Sequence, residues 1–173
     1  MPEGKVQLYT GNGKGKTTAA LGLALRAAGR GMKTLIIQFM KGQKYGELDS
    51  VKKLEPLIRI EQMGLDTFVH VCGPTAEDCN LAEAGLERAR QAIEKRECDI
   101  LVLDEVNVAI YFRLIKVEQV LQIIDSKPPE MEIILTGRYA HPLLIKRADL
   151  VTLMEEVKHY YSQGVSARDG IER

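Results

Sequence analysis

The stretch Thr10-Gly11-Asn12-Gly13-Lys14-Gly15-Lys16-Thr17-Thr18 restricts this chain more than any other feature. It follows the apolar run Lys5–Tyr9 and opens the Ala- and Leu-rich segment Thr17–Arg30. A strand, a glycine-rich turn and a helix in that order form a phosphate loop. The glycines let successive backbone N–H groups converge on an anion, and the helix start adds unpaired amides and the positive end of its dipole. Lys16 supplies a mobile positive charge for phosphate oxygens, and the Thr17 hydroxyl is the type of ligand that holds Mg²⁺ in such loops. The usual pattern has a glycine where Thr10 stands, so the first turn is altered.

The rest of the chain supports a sheet covered on both faces. Thr34–Gln38, Leu57–Glu61, Ile100–Leu103, Glu132–Thr136 and Leu150–Leu153 are mostly continuous Val/Ile/Leu runs, as expected of buried parallel strands. Between them, Ala76–Arg96 places Ala82, Leu86, Ala89 and Ile93 on one helical face, with Thr75 and Asp78 as a capping pair. Val117–Asp125 reads as a helix stopped by Pro128 and Pro129, and a short helix follows Pro142. Residues 40–55, 62–76 and the last twelve have weaker patterns. The expected fold is α/β: a three-layer, RecA-like phosphate-loop domain with a mostly parallel central sheet, one domain over residues 1–173.

Composition removes several function classes. The 24 Lys and Arg balance 24 Asp and Glu, which argues against a dedicated nucleic-acid binder. No apolar run is long enough to span a bilayer, and the N-terminus shows no secretory pattern. Cys72, Cys79 and Cys98 are odd in number and lack metal or redox spacing, so a reducing cytoplasm fits. His70 with Cys72 and Cys79 matches no zinc pattern.

A second strong element is Ile100-Leu101-Val102-Leu103-Asp104-Glu105, a buried strand ending in two acids. Ligands of α/β sheets collect at the carboxyl ends of strands, so both acids can face the loop. A carboxylate there holds Mg²⁺ directly or through water. Arg138, after Thr136-Gly137, is suited either to phosphate or to solvent. Arg26 and Arg30, four apart on the first helix, either reach a nucleotide or pair at the surface.

With these elements in place, the chain resembles the ATP:cob(I)alamin adenosyltransferases of the CobA/BtuR type. The matches are Gly11-Asn12-Gly13-Lys14-Gly15-Lys16-Thr17-Thr18-Ala19-Ala20, Gln38-Phe39-Met40-Lys41-Gly42, Leu103-Asp104-Glu105-Val106-Asn107, Leu135-Thr136-Gly137-Arg138 and Ala148-Asp149-Leu150-Val151-Thr152. Last come Val157-Lys158-His159, Gly164, Ala167-Arg168 and Gly170-Ile171-Glu172. The resemblance implies transfer of the 5′-deoxyadenosyl group of ATP to the Co(I) centre of a reduced corrinoid, releasing triphosphate, with ATP bound in reversed polarity. It implies leaving-group stabilisation by the amides of Asn12, Gly13 and Gly15 with Lys16, and Mg²⁺ at Thr17 and Glu105. Asp104 would support that metal site from behind, and Thr18 would support the triphosphate. It also implies a flavoprotein or other reductant and a homodimer.

In better-known members an aromatic stretch displaces the corrinoid's lower ligand. The matching stretch here, Gly64-Leu65-Asp66-Thr67-Phe68-Val69, has no Trp and a shifted Phe, so Phe68 and Val69 are either corrinoid contacts or core. The N-terminal extension with which some members cover the nucleotide is expected to be absent. A phosphate-loop ATPase or kinase that cleaves the β–γ bond, and a catalytically silent nucleotide-binding module, are the competing readings.

Overall fold

Six strands form one all-parallel sheet in the order β3-β2-β4-β5-β1-β6. They are β1 (Val6–Thr10), β2 (Thr34–Phe39), β3 (Ile58–Met63), β4 (Ile100–Asp104), β5 (Glu132–Thr136) and β6 (Leu150–Leu153). The computed structural model describes residues 3–66 and 73–172; the readings on Phe68, Val69, His70 and Cys72 lie outside the described residues. The helices are α1 (Lys16–Ala28), α2 (Gly46–Lys52), α3 (Ala76–Glu94), α4 (Val106–Tyr111), α5 (Val117–Ser126) and α6 (Pro142–Arg147). A 3₁₀ turn covers Tyr160–Gln163.

The two-residue period of the strands divides the core into two layers. Leu35, Ile37, Phe39, Leu101, Leu103, Ile133 and Leu135 pack with α3, α4, α5 and α6. Ile36, Ile100, Val102 and Ile134 face the other way, against Ala20, Ala24 and Ala27 of α1 and Val51 of α2. This is the expected three-layer arrangement, and every residue of β2 and β4 is buried. The α3 face of Ala82, Leu86, Ala89 and Ile93 is buried as the periodicity requires, and Thr75 and Asp78 form a reciprocal capping box.

One local expectation changes, and two further helices join those read from the sequence. The strand β6 is not buried: all four of its residues are exposed, because it is an edge strand paired only with β1. The chain forms α4 immediately after Glu105, although Val-Asn-Val-Ala-Ile-Tyr is rich in β-formers. Glu105 itself takes the left-handed conformation (φ 62°, ψ 16°), which turns the chain from β4 straight into that helix. The α2 helix fills part of the region whose pattern was weak.

Register determines what meets at the carboxyl edge. Gln38 lies beside Asp104, Tyr9 beside Thr136, and Thr10 beside Leu153. The ends of β2, β4, β5 and β1 therefore deliver Lys41, Asp104, Glu105, Thr136 and the glycine-rich loop to one place.

Candidate active site

A cavity of about 660 Å³ lies at that edge, a size suited to a nucleotide. It is lined by the loop from Asn12 to Thr18, by Lys41, Glu105 and Arg138, by the start of α2, and by His159 and Gly170–Glu172. The loop is built as its glycines suggest, with the first turn moved. Thr10 stays in β1, where its carbonyl accepts from the Met154 N–H at 2.8 Å. The turn falls on Gly11 (φ 99°), whose missing Cβ would stand 2.3 Å from the Met154 carbonyl oxygen. The departure from the usual glycine pattern therefore lengthens the strand by a residue and hands its turn to Gly11.

The amide of Gly13 departs from the expectation for it. It donates to the Met154 carbonyl at 2.8 Å, so it is committed to the exit of β6 rather than to an anion. The anion-seeking donors lie further on. Gly15 (φ 118°) starts α1 with no side-chain cap, so the first-turn amides from Lys16 onward keep their unmatched polarity facing the cavity. The Lys16 ammonium, buried in the loop, donates to the carbonyls of Gly11 at 2.8 Å and Gly13 at 2.7 Å. Burial lowers its pKa, against the pull of Glu105.

Beneath the loop lies a polar cluster. Asp104, fully buried, accepts from Thr17 Oγ1 (2.9 Å) and Thr136 Oγ1 (2.7 Å) on Oδ1, and from Lys41 Nζ (2.7 Å) and Gln38 Nε2 (3.2 Å) on Oδ2. Lys41 Nζ also donates to Thr17 Oγ1 at 3.2 Å. Burial opposes charge on Lys41, but Asp104 and Glu105 outweigh it and hold its pKa above the ordinary value. Thr136 Oγ1 further accepts the Glu105 N–H at 2.9 Å, which fixes the strained turn at Glu105. Gly137 (φ 126°) keeps the next loop close: a Cβ there would stand 3.3 Å from Glu105 Oε2, and Asn107 Nδ2 donates to the Gly137 carbonyl at 3.0 Å.

The Glu105 carboxylate accepts no hydrogen bond among the described residues. Burial raises its pKa, as does neighbouring Asp104, while Lys41, Lys16 and Arg138 pull it down. An acid oriented by its backbone, lining the cavity and left without a donor, is a fit partner for a divalent cation. Thr17 Oγ1, which donates to Asp104 and accepts from Lys41, keeps one further lone pair. Among the described residues, no group of three or more His, Cys, Asp or Glu side chains could hold a metal by itself.

The C-terminal segment closes one wall. Lys14 Nζ donates to Tyr160 Oη (3.1 Å), the Ile171 carbonyl (3.1 Å) and Glu172 Oε1 (2.9 Å). Arg168 joins Glu172 at 3.0 Å and lies over the Tyr160 ring, and Tyr160 donates to Glu172. Arg168, Tyr160 and Lys14 together hold the Glu172 carboxyl well below the usual carboxylate range.

The structure thus brings together Asn12, Gly13, Lys14, Gly15, Lys16, Thr17, Thr18, Glu105 and Arg138. Gly11 lines an adjoining cavity that shares Asn12 and Arg138 with the first. Arg26 is not brought in: it is exposed in the last turn of α1, about 15 Å along the helix from Lys16, and does not line the cavity. Phe68 lies outside the described residues. Sequence reasoning gave no role to Lys41, Thr136, Gln38, Tyr160 or Glu172. All but Tyr160 fall within the motif strings quoted above, so the signal was present as motif membership without a chemical reason attached.

Comparison with known proteins bears on the family and the fold. The family model for the ATP:corrinoid adenosyltransferase BtuR/CobO/CobP matches residues 2–173. A corrinoid adenosyltransferase of Pseudomonas aeruginosa is 34% identical over 98% of this chain and 83% of its own length. One of Escherichia coli is 33% identical over 98% of this chain and 85% of its own. Among solved structures, a KaiC-like protein of Pyrococcus horikoshii superposes with a TM-score of 0.60 at 16% identity, covering 91% of this chain and 76% of that one, which supports the fold alone. The match of sequence from end to end places this chain in the ATP:corrinoid adenosyltransferase family.

Proposed function

We propose that the protein transfers the 5′-deoxyadenosyl group of ATP to the Co(I) centre of a reduced corrinoid and releases inorganic triphosphate. The corrinoid is cobalamin, cobinamide or cobyrinic acid a,c-diamide. The observation that carries this reading is the uncapped α1 start with Lys16 beside it, in a chain that matches the adenosyltransferase family along its length. The substrate's cobalt donates an electron pair to C5′. The C5′–O bond breaks, and its electrons leave on the triphosphate. No proton moves, so the chain needs no general base.

Its task is to hold and aim two substrates and to stabilise the departing charge. In this reading the amides at the α1 start and Lys16 meet the triphosphate, with Asn12, Thr18 and Arg138 around them. Thr17 and Glu105 would hold Mg²⁺, which neutralises part of the leaving group's charge. Asp104 acts through Thr17. Phe68 would contact the corrinoid. We place the reaction in the cytoplasm, in a homodimer of single-domain chains supplied by a flavoprotein or other reductant. No helix among the described residues is long and apolar enough to cross a membrane.

Anaerobic incubation with ATP, Mg²⁺ and chemically reduced cobalamin, then cobinamide, tests the reading. The expected result is a Co–C bond by absorbance together with triphosphate, formed only when the corrinoid is present. ADP and phosphate formed without corrinoid would instead establish a β–γ-cleaving ATPase or kinase.

A further inference from the structure

The loop after β2 returns over the end of β4 in a fixed path. Met40 takes a positive φ of 58°, and its N–H donates to the Met63 carbonyl at 3.0 Å. Gly42 and Gly64 cross so closely that a Cβ on either would stand within 2.5 Å of the other loop's backbone. Lys41 is held between these constraints. Its ammonium reaches Asp104 Oδ2 at 2.7 Å and Thr17 Oγ1 at 3.2 Å, and lies 5.6 Å from the centroid of the Tyr45 ring.

A carboxylate offers about four lone-pair sites. All four on Asp104 are taken, by Thr17, Thr136, Gln38 and Lys41. A metal bond to Asp104 therefore has to displace a donor. Of the two cavity-lining donors, Lys41 and Thr17, Lys41 is the one carrying charge, and it touches both Asp104 and Thr17.

We propose that Lys41 is the resident cation of the phosphate site: its ammonium takes the position between Thr17 and Asp104 that a divalent cation would otherwise claim. The inference rests on the reading above that places Mg²⁺ at Thr17 and Glu105. With Lys41 in place, the protein offers a divalent cation only one lone pair on Thr17 and the Glu105 carboxylate, too few for a cation that seeks six oxygens. The metal then enters only with a polyphosphate, whose oxygens complete the shell. Lys41 is thus a positioning residue that keeps Asp104 neutralised and Thr17 oriented, and that makes metal and nucleotide arrive together.

The test is Mn²⁺ bound to the protein, read as the excess of Mn²⁺ on the protein side of an equilibrium dialysis with and without inorganic triphosphate. The wild-type chain is expected to show no saturable sub-millimolar Mn²⁺ site alone and to gain one with triphosphate. Lys41→Met, checked for native circular dichroism, exposes the Asp104 carboxylate and is expected to gain a triphosphate-independent site, with affinity about 10- to 100-fold above wild type. Adding Asp104→Asn to Lys41→Met is expected to remove that gain, and Lys41→Arg, which keeps the charge, is expected not to produce it.

A folded Lys41→Met chain with no such gain overturns the proposal. So does a saturable micromolar Mn²⁺ site on the wild type alone, a result that depends on no variant folding. Failure of the underlying metal reading looks different: the wild type then binds no Mn²⁺ even with triphosphate.

Discussion

Replacing Thr136 with valine removes one hydroxyl while nearly keeping the side chain's shape, and the structure gives that hydroxyl two partners. Thr136 is fully buried, donates to Asp104 Oδ1 at 2.7 Å and accepts the Glu105 N–H at 2.9 Å. The first bond is charge-assisted, and losing it costs about 1.5–3 kcal/mol. The second loss strands a backbone donor in the core, at about 1–3 kcal/mol. The added methyl recovers about 0.8 kcal/mol of that. A net loss of about 3 kcal/mol follows, which for a domain of this size lowers Tm by roughly 6–12 °C.

Thr136→Ser keeps the hydroxyl and loses a methyl, so it should cost only about 1 kcal/mol. Urea unfolding of the three proteins measures the stability ranking, and initial adenosylation rates measure the consequence for the Glu105 turn. Turnover in Thr136→Val should fall about 10- to 100-fold, because the residue that orients a candidate metal ligand is gone. A valine variant within about 0.5 kcal/mol of wild type, or one no worse than serine, would refute the reasoning that Thr136 satisfies both groups at once.

Three further outcomes follow from other parts of the chain. Glu172→Gln weakens the hold of the C-terminal segment on Lys14, so limited trypsin cleavage after Arg168 should quicken and the KM for ATP should rise more than kcat falls. In the wild type the segment's protection from amide hydrogen exchange, corrected for the intrinsic pH dependence of exchange, should be lost as pH falls below the ordinary glutamate value of 4.5, since the folded carboxyl titrates lower still; protection unchanged across that range would reject the latch. Burial pushes the Cys98 thiol from 9.0 up to about 11, so the folded chain keeps a proton that the unfolded chain sheds. Stability should therefore fall as pH rises from 9 to 11, by about 2–3 kcal/mol, and the wild-type minus Cys98→Ala difference should carry that slope. A flat difference would place Cys98 in contact with water.

The strands were legible because burial on both faces leaves a plain trace in composition, and β2 and β4 carry it fully. The edge strand β6 carries nearly the same trace, Leu-Val-Thr-Leu, yet is exposed; a local run of apolar residues does not report how many neighbours a strand has. The α4 helix was hidden because one backbone turn at Glu105, fixed by Thr136 of the neighbouring strand 31 residues on in sequence, overrides the β preference of the residues that follow. Lys16 and Thr17 were readable from the local form of a phosphate loop, and an acid-ended strand marked Asp104 and Glu105 together; only the family resemblance singled out Glu105. Lys41 was not readable, because a single loop lysine has no periodicity. Its partners Asp104 and Thr17 lie 63 and 24 residues away in sequence. The Gly13 amide was misread for the same reason: its acceptor, Met154, belongs to the far end of the chain.

The strand order also dictates when the phosphate loop can exist. The first strand made, β1, pairs only with β5 and β6, the last two. The strands β2, β3 and β4 can associate with one another while the rest is still being synthesised, but β1 has no neighbour until the chain through Thr136 has emerged. Its closure is a contact of long sequence separation, the slow kind in folding. The most recognisable motif in the sequence is therefore assembled among the last, and it registers that both ends of the chain have arrived. A nascent chain stalled before β5 would carry an intact glycine-rich sequence with no strand to hold its shape, and so no means of gripping a triphosphate.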